Sequence, residues 1–320
     1  LENDVTFRVV YFEEIDQEQF CALHKKAFAA LMEKENFDNN YLTKTFFSWK
    51  YNPPSGRARI AVAERQGNII ATNSMLPLEV IRNETICRAW QSCDTVVDSQ
   101  ERGKGYFLKC LALLRREIPA GDFFMGFPNG NSVNGFIKSG WHKALSVPIY
   151  VNPFAFIPVL DKKRNDALTF DKLNGVFESP RQGMWKIHFT PAYLNWRYRQ
   201  HPYNEYKMEL ARDKVGEGVI VYRIAKVRGA TFILIMEYVG TFSCFKKCLK
   251  VVHDFAHSNQ IAIIGYFTNQ FSYWQFLQLG FIHVPGMFVS RKLDLCLERV
   301  GGQQQGDDDW CVQTGDYDLF

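Results

Sequence analysis

The sequence has no C-x-x-C pair; its eight cysteines stand at 21, 87, 93, 110, 244, 248, 296 and 311. That scatter argues against a disulfide framework and for a reduced, cytoplasmic chain. Long apolar runs are missing too. None approaches the ~18 residues of a membrane span, and the stretch 147–160 is broken by Pro148, Asn152, Pro153 and Pro158. The first residues, with Glu2, Asn3, Asp4 and Arg8, do not follow a signal-peptide pattern. Nor is there an excess of one charge. Lys and Arg number 38 against 34 Asp and Glu, a net +4 over 320 residues, too balanced for a nucleic-acid protein. Residues 44–59 mix cations and aromatics without a sustained basic stripe. These absences predict a soluble protein that neither enters a membrane nor binds nucleic acid.

What is present is a large apolar store, 47% of residues, with 27 Phe and 14 Tyr. The length suits two domains of roughly 150 residues, and an internal repeat supports the division. Residues 47–53 read FSWKYNP, and residues 194–198 read LNWRY before His201-Pro202. Residues 126–141 read GFPNGNSVNGFIKSGW, and residues 265–281 read GYFTNQFSYWQFLQLGF. Aligned on Gly140 and Gly280, both segments carry Asn (129, 269), Ser (132, 272) and Phe (136, 276) at matching positions. Two divergent copies of one unit account for this pattern.

The copies also share an order of elements. In the first, alternation predicts strands over 60–64 and 69–76 around Gln66-Gly67-Asn68, and a longer strand over 86–97. A helix over 105–117 follows, with Leu108, Leu111, Leu114 and Ile118 assigned to its apolar side and Pro119 as its stop. Residues 123–127 read as a buried strand and 132–139 as a short helix. In the second copy the corresponding segments are 219–226, 231–239, 245–257, 261–267 and 272–279. The boundary is placed at residue 160, giving domains 1–160 and 161–320. The stretch 161–180 reads as a connection, and the tail 301–309 (GGQQQGDDD) as mobile, with Trp310 and Tyr317 able to dock its end.

The segment Val97-Asp98-Ser99-Gln100-Glu101-Arg102-Gly103-Lys104-Gly105 joins a strand to a helix. Gly103 and Gly105 permit positive φ and close backbone approach. Such a turn presents amides at a helix N-terminus, where the dipole favours an anion, and Arg102 and Lys104 add charge. The second copy has Val239-Gly240-Thr241-Phe242-Ser243 in this place. A purely architectural turn would have been kept in both copies, so the loop reads as a diphosphate site.

Gln100-Glu101-Arg102-Gly103-Lys104-Gly105 matches the Q/R-x-x-G-x-G/A signature of the GNAT acyl-CoA N-acyltransferases, and the chain resembles two tandem GNAT domains. The resemblance implies an α/β (α+β) fold, each domain a mixed, mostly antiparallel twisted sheet flanked by helices, with only the N-terminal copy retaining the CoA loop. It further implies acyl-CoA as co-substrate, its pyrophosphate on the amides of Arg102, Gly103, Lys104, Gly105 and Tyr106. Thr95 and Val97 would pair through their backbones with the pantetheine amides, and Asn129 and Ser132 would lie near that arm. The Trp-Lys/Arg-Tyr motifs and the closing Gly315-Asp316-Tyr317-Asp318 resemble bacterial polysaccharide-locus enzymes. Those enzymes acylate nucleotide-linked amino sugars of the dTDP-3-amino-3,6-dideoxyhexose type. The implied reaction is direct attack of the amine on the thioester through a tetrahedral intermediate, with an acetyl or short hydroxyacyl group such as 3-hydroxybutanoyl.

Where the family often carries a general-acid Tyr, this chain has Phe136, which cannot donate a proton. For the base, period-2 alternation groups Trp90, Ser92 and Asp94 on one face, which makes Asp94 the first candidate, against a satisfied structural carboxylate. His142 is the alternative. Arg197 and Tyr222 are the candidates for holding the acceptor, although a Trp motif kept in both copies fits packing better than ligand binding. His253, His257, Cys244 and Cys248 spread along one helix rather than converging, so no metal is expected. Two rivals remain: a tandem GNAT for another amine (aminoglycoside, peptide or aminoacyl-tRNA), and a non-catalytic acyl-CoA-binding module. Oligomeric state stays open.

Overall fold

The computed structural model describes residues 4–35, 41–130, 132–155, 183–214, 216–227, 229–284, 294–301 and 309–316. The stretch 161–180, residues 302–308 of the tail and Tyr317 lie outside the described residues. Among the described residues, no helix is long and apolar enough to cross a membrane.

The first half of the chain runs β1 (Val5–Val10), α1 (Gln17–Glu35), α2 (Lys44–Lys50), β2 (Arg59–Arg65), β3 (Asn68–Arg82) and β4 (Thr85–Val97). It continues through α3 (Tyr106–Glu117), β5 (Phe123–Gly126), α4 (Val133–Lys138), β6 (His142–Ser146) and β7 (Ile149–Asn152). The second half opens with β8 (Lys186–Ile187) and α5 (Pro191–Leu194), which continues into a π-helical turn, Asn195–Arg199. Then come β9 (Lys207–Arg212), β10 (Glu217–Val227), β11 (Ala230–Val239), α6 (Phe242–Ser258), β12 (Ile264–Phe267), α7 (Tyr273–Gln278), β13 (Ile282–His283) and β14 (Asp294–Arg299).

β3 outruns its predicted end and passes through Pro77, which lies opposite Trp90 of β4. A proline is tolerated there because β2 has already ended at Arg59, opposite Met75. The side of β3 that lacks an N–H there has no β2 partner, and its Pro77 carbonyl accepts from the Ser55 hydroxyl at 2.6 Å. Along α3 the buried stripe is Tyr106, Cys110, Leu111 and Leu114. Leu108, assigned to the apolar side from sequence, is instead exposed.

Two mixed sheets result. The first has the order β1-β2-β3-β4-β5-β14-β6, with β8 added against β3; the second has the order β9-β10-β11-β12-β7-β13. β14, from the second half, lies between β5 and β6, while β7, from the first half, lies between β12 and β13. The copies thus exchange their last strands reciprocally. One core lies between the sheets, holding Ile60, Val80, Val221, Leu234 and Trp310. Two outer cores lie under α3 and α4 on the first sheet and under α6 and α7 on the second.

The repeated Trp motifs meet each other. Trp49 and Trp196 stack with ring centroids 5.5 Å apart, and each indole N–H donates to the other's carbonyl, at 2.8 and 2.9 Å. The motif is a packing device at the join of the two copies. Trp196→Ala, at a site 4% exposed, is expected to cost about 3–5 kcal/mol in chemical denaturation. A loss under ~1 kcal/mol would show that the join contributes little.

Candidate active site

β4 and β5 run parallel and pair only over Ala89, Trp90 and Gln91, then diverge. Against β3, the register of β4 shifts between Thr72 and Ser74, and Asp94 takes a left-handed φ of 49°. This one-residue bulge bends β4 away from β5. Among the described residues, no strand pairs with that edge of β4 beyond Gln91. The gap opens into a cavity of ≈ 160 Å³, lined by residues 91–95 of β4, 127–129 after β5, Ser132 and Phe136 at α4, and Phe28 from α1. Asn129 and Ser132 fix the lower wall. The Asn129 N–H donates to Ser132 Oγ at 3.1 Å, and the Ser132 N–H to Asn129 Oδ1 at 3.2 Å.

Beyond Val97, which lies opposite Ala71, the Asp98 carboxylate accepts from the Gln100 N–H at 3.0 Å and starts a 3-10 turn over Ser99–Glu101. Lys26 binds Asp98 at 2.7 Å and holds its carboxyl below the usual range. Arg102, Gly103, Lys104 and Gly105 are exposed. The two glycines have φ of 80° and 76°, and a Cβ on either would meet nothing within 4 Å. Conformation therefore requires glycine here, and the space above the loop is open. Lys104 is tied to Glu101 at 2.9 Å. Tyr106 turns its ring inward, its hydroxyl accepting from Arg65 at 3.0 Å, so its backbone alone faces the loop.

The two copies differ most at this helix start. Gly105, the N-cap of α3, makes no side-chain cap, which leaves the first-turn amides of α3 without that partner. α6 is closed by Thr241, whose hydroxyl accepts from the Cys244 N–H at 3.2 Å.

The gap in the second copy is filled by the chain itself. β11 and β12 pair over three residues, Ile233 to Ile264, Leu234 to Gly265 and Ile235 to Tyr266, and then part in the same way. The segment 309–316 lies in the opening. Asn269, the counterpart of Asn129, donates to the Trp310 carbonyl at 2.7 Å and accepts from the Val312 N–H at 2.8 Å. Gln313 bridges Thr268 and accepts from the Tyr238 N–H at 2.6 Å. A Cβ on Gly315 would collide with the Tyr198 hydroxyl and the Glu237 carboxylate. Gly315→Ala is therefore expected to cost about 1–3 kcal/mol in urea denaturation, whereas an unchanged midpoint would mean this packing relaxes freely.

Asp94 does not face the way strand alternation predicts. The bulge turns it from the face of Trp90, which packs beneath α3 and α4, to the opposite face, where α2 lies. There Lys50 Nζ binds it at 2.8 Å, and the Tyr51 hydroxyl donates to it at 2.8 Å. The side chains of both Lys50 and Asp94 are 1% exposed. Burial pushes the Asp94 carboxyl up, but the Lys50 charge and the hydrogen bonds of Lys50 and Tyr51 outweigh it and hold the group below the usual carboxylate range. A carboxylate held this way is a poor proton acceptor. It ties α2 to the bulge and so shapes the cavity wall.

Three further candidates lie away from the cavity lining. His142, on β6 opposite Leu297 of β14, is not among the residues that line the cavity. Tyr222 is 1% exposed beneath α6, with its ring 5.5 Å from Phe255 and its hydroxyl donating to Glu209 at 3.3 Å. Arg197 is 9% exposed and donates to the Gly315 carbonyl at 3.0 Å. Tyr222 serves the outer core and Arg197 fixes the tail, and neither lines the cavity. Sequence reasoning missed Gln91 and Phe28 in the cavity wall. Period 2 places Gln91 on the same face as Cys93, which was a usable signal; nothing local marks Phe28.

No protein-family model and no curated protein sequence matches the chain. Among solved structures it is similar to a conserved protein of unknown function from Enterococcus faecalis, a probable N-acyltransferase. That match has a TM-score of 0.66 and 13% identity, over 92% of this chain and 73% of that one. It is also similar to a GCN5-related N-acetyltransferase from Anabaena variabilis, with a TM-score of 0.63 and 12% identity, over 92% of this chain and 73% of that one. A third is the Saccharomyces cerevisiae N-myristoyltransferase with bound myristoyl-CoA, with a TM-score of 0.57 and 10% identity, over 97% of this chain and 83% of that one. The fold is thus of the GNAT type, in two mixed sheets flanked by helices.

Proposed function

We propose that the protein is an acyl-CoA-dependent N-acyltransferase whose first copy alone holds acyl-CoA. One observation carries the reading. Among the described residues the first copy has an open gap and an uncapped helix start, while the second has its gap filled by residues 309–316 and its helix capped by Thr241.

The loop amides of Arg102 to Gly105, with that of Tyr106, suit the pyrophosphate. The unpaired edge of β4 at Thr95 and Val97 suits an extended pantetheine arm, accepted as an added strand. Asn129, the counterpart of the Asn269 that holds the tail peptide, suits that arm. In the cavity the neutral amine attacks the thioester carbonyl, the C–N bond forms and the C–S bond breaks. A backbone N–H of β4 near Val97 stabilises the oxyanion. The amine proton reaches solvent directly. Phe136 and the ion-paired Asp94 offer no proton relay, and a thiolate of pKa about 8.5 leaves without a dedicated acid.

The acceptor is a primary amine on a small molecule. Arg197 and Tyr222, expected to grip a nucleotide sugar, are engaged within the fold, so nothing in the cleft favours a dTDP-amino sugar over another amine. Free-thiol release from acetyl-, 3-hydroxybutanoyl- and longer acyl-CoAs is the test, each with dTDP-3-amino and 4-amino sugars, aminoglycosides and peptide amines. Release that needs both partners is expected, and the best pair identifies the acceptor class. Binding of CoA without amine-dependent release would favour a non-catalytic acyl-CoA-binding module.

A further inference from the structure

The tail in the second gap carries an unresolved charge problem. Glu237, on β11, is 0% exposed and Asp316, at the end of the tail, 4%. Glu237 Oε1 accepts from the Tyr198 hydroxyl at 2.7 Å, and Asp316 Oδ2 accepts from the Gln313 N–H at 2.8 Å. The other oxygen of each, Glu237 Oε2 and Asp316 Oδ1, is buried with no hydrogen-bond partner among the described residues. The Glu237 carboxylate lies against Gly315, next to Asp316 in the chain, and two buried carboxylates so placed, each with an orphan oxygen, are costly when both are ionised. A proton kept on one of them removes the repulsion.

We propose that one of Glu237 and Asp316 stays protonated at neutral pH, and that this proton latches segment 309–316 against the wall of the acyl cavity. The link to the cavity is direct. Gln91, which lines it, donates to the Asp316 carbonyl at 2.7 Å. Asp316 is therefore a positioning residue for Gln91. When that proton leaves, repulsion acts on the residue whose carbonyl pins the Gln91 side chain.

The groups facing the pair come from every element packed on it: Tyr193 of α5, Arg197 and Tyr198 of the π-helical turn, and Tyr266 of β12. Arg197 is the cation among them, and it pulls both carboxyls down by less than burial lifts them. Burial, with the charge of Asp316, holds Glu237 well above the carboxylate range, and burial pushes Asp316 up to about 7. Unfolded carboxyls titrate near 4, so from pH ~4 upward the folded protein retains protons that the unfolded chain has released. The stability these protons supply is complete below the unfolded value and is lost as pH rises through the folded one.

The test is thermal unfolding of the full chain at pH 5, 6, 7 and 8, for the protein as it stands, Glu237→Gln and Asp316→Asn. Gln at 237 keeps an acceptor for Tyr198 and removes one of the two charges. The melting temperature of the unmodified protein is expected to fall as pH rises over this range, and the fall to shrink by about half in either variant. Should one variant fail to fold, the other gives the same readout. Parallel curves for all three proteins would overturn the retained proton.

The consequence for the cavity rests on the proposed function and has its own arm: acetyl-CoA affinity by calorimetry at pH 6 and 8. Affinity is expected to weaken at pH 8 in the unmodified protein and to change less in Glu237→Gln. Equal changes would overturn the link through Gln91. Absence of acetyl-CoA binding at either pH would count against the proposed function and leave the thermal result to judge the proton.

Discussion

Lys50→Met is expected to destabilise the protein by about 3–5 kcal/mol, because it leaves the Asp94 carboxylate buried without its cation. That is a large share of the ~5–15 kcal/mol that holds a typical domain folded. Asp94 sits at φ 49°, a conformation asparagine accepts readily. Lys50→Met combined with Asp94→Asn should therefore recover part of the loss, with no uncompensated charge and the Tyr51 hydroxyl still bound. The ion pair also has a pH signature. Its folded carboxyl value lies below the unfolded one, so its stabilisation is present at neutral pH and disappears as the medium becomes acidic. Urea titration of the single and double variants checks this; equal midpoints for both would remove the buried charge as the cause.

The second large effect concerns the loop. Gly103→Val and Gly105→Val force a β-branched residue into φ near 80° and 76°, at about 1–2 kcal/mol or more each. They also place a side chain in the open space where an anion would approach the amides. Each is expected to weaken CoA binding by about tenfold or more and to lower folding stability by about that backbone strain alone, because both positions are exposed and a Cβ there meets nothing within 4 Å. Calorimetric titration with CoA measures it. Gly240→Val would not serve as a control, since a Cβ at Gly240 meets the Gly218 backbone and would disturb the fold itself.

Much of the first copy was legible because its elements obey simple periods. Strands 59–65 and 85–97, helix 106–117 and the glycine turn between the last two lie where alternation, helical spacing and Pro119 put them. Asp94 was misplaced because alternation assumes an unbroken strand, and the bulge at Asp94 moves it to the other face. The exchange of β7 and β14 was not legible for a different reason. Period and composition report which face of a strand is buried, not which of two equivalent gaps it enters. Trp310 was legible as the residue that docks the tail and is buried in the core, but the path of 309–316 between β11 and β12 was opaque because the segment has no period at all. It is held by Asn269, Tyr238, Thr268 and Arg197, residues distant in sequence whose common purpose emerges only when the chain is folded. The Trp49 and Trp196 motifs were visible as a repeat, and their mutual contact follows once the two copies pack face to face.

The claim that the first copy alone holds acyl-CoA is tested most directly by hydrogen exchange of the full chain with and without acetyl-CoA. The account predicts slowed exchange over 95–97, 102–106 and 129–133, with 239–245 and 267–272 unchanged. Protection confined to the second copy, or none in either, would contradict it.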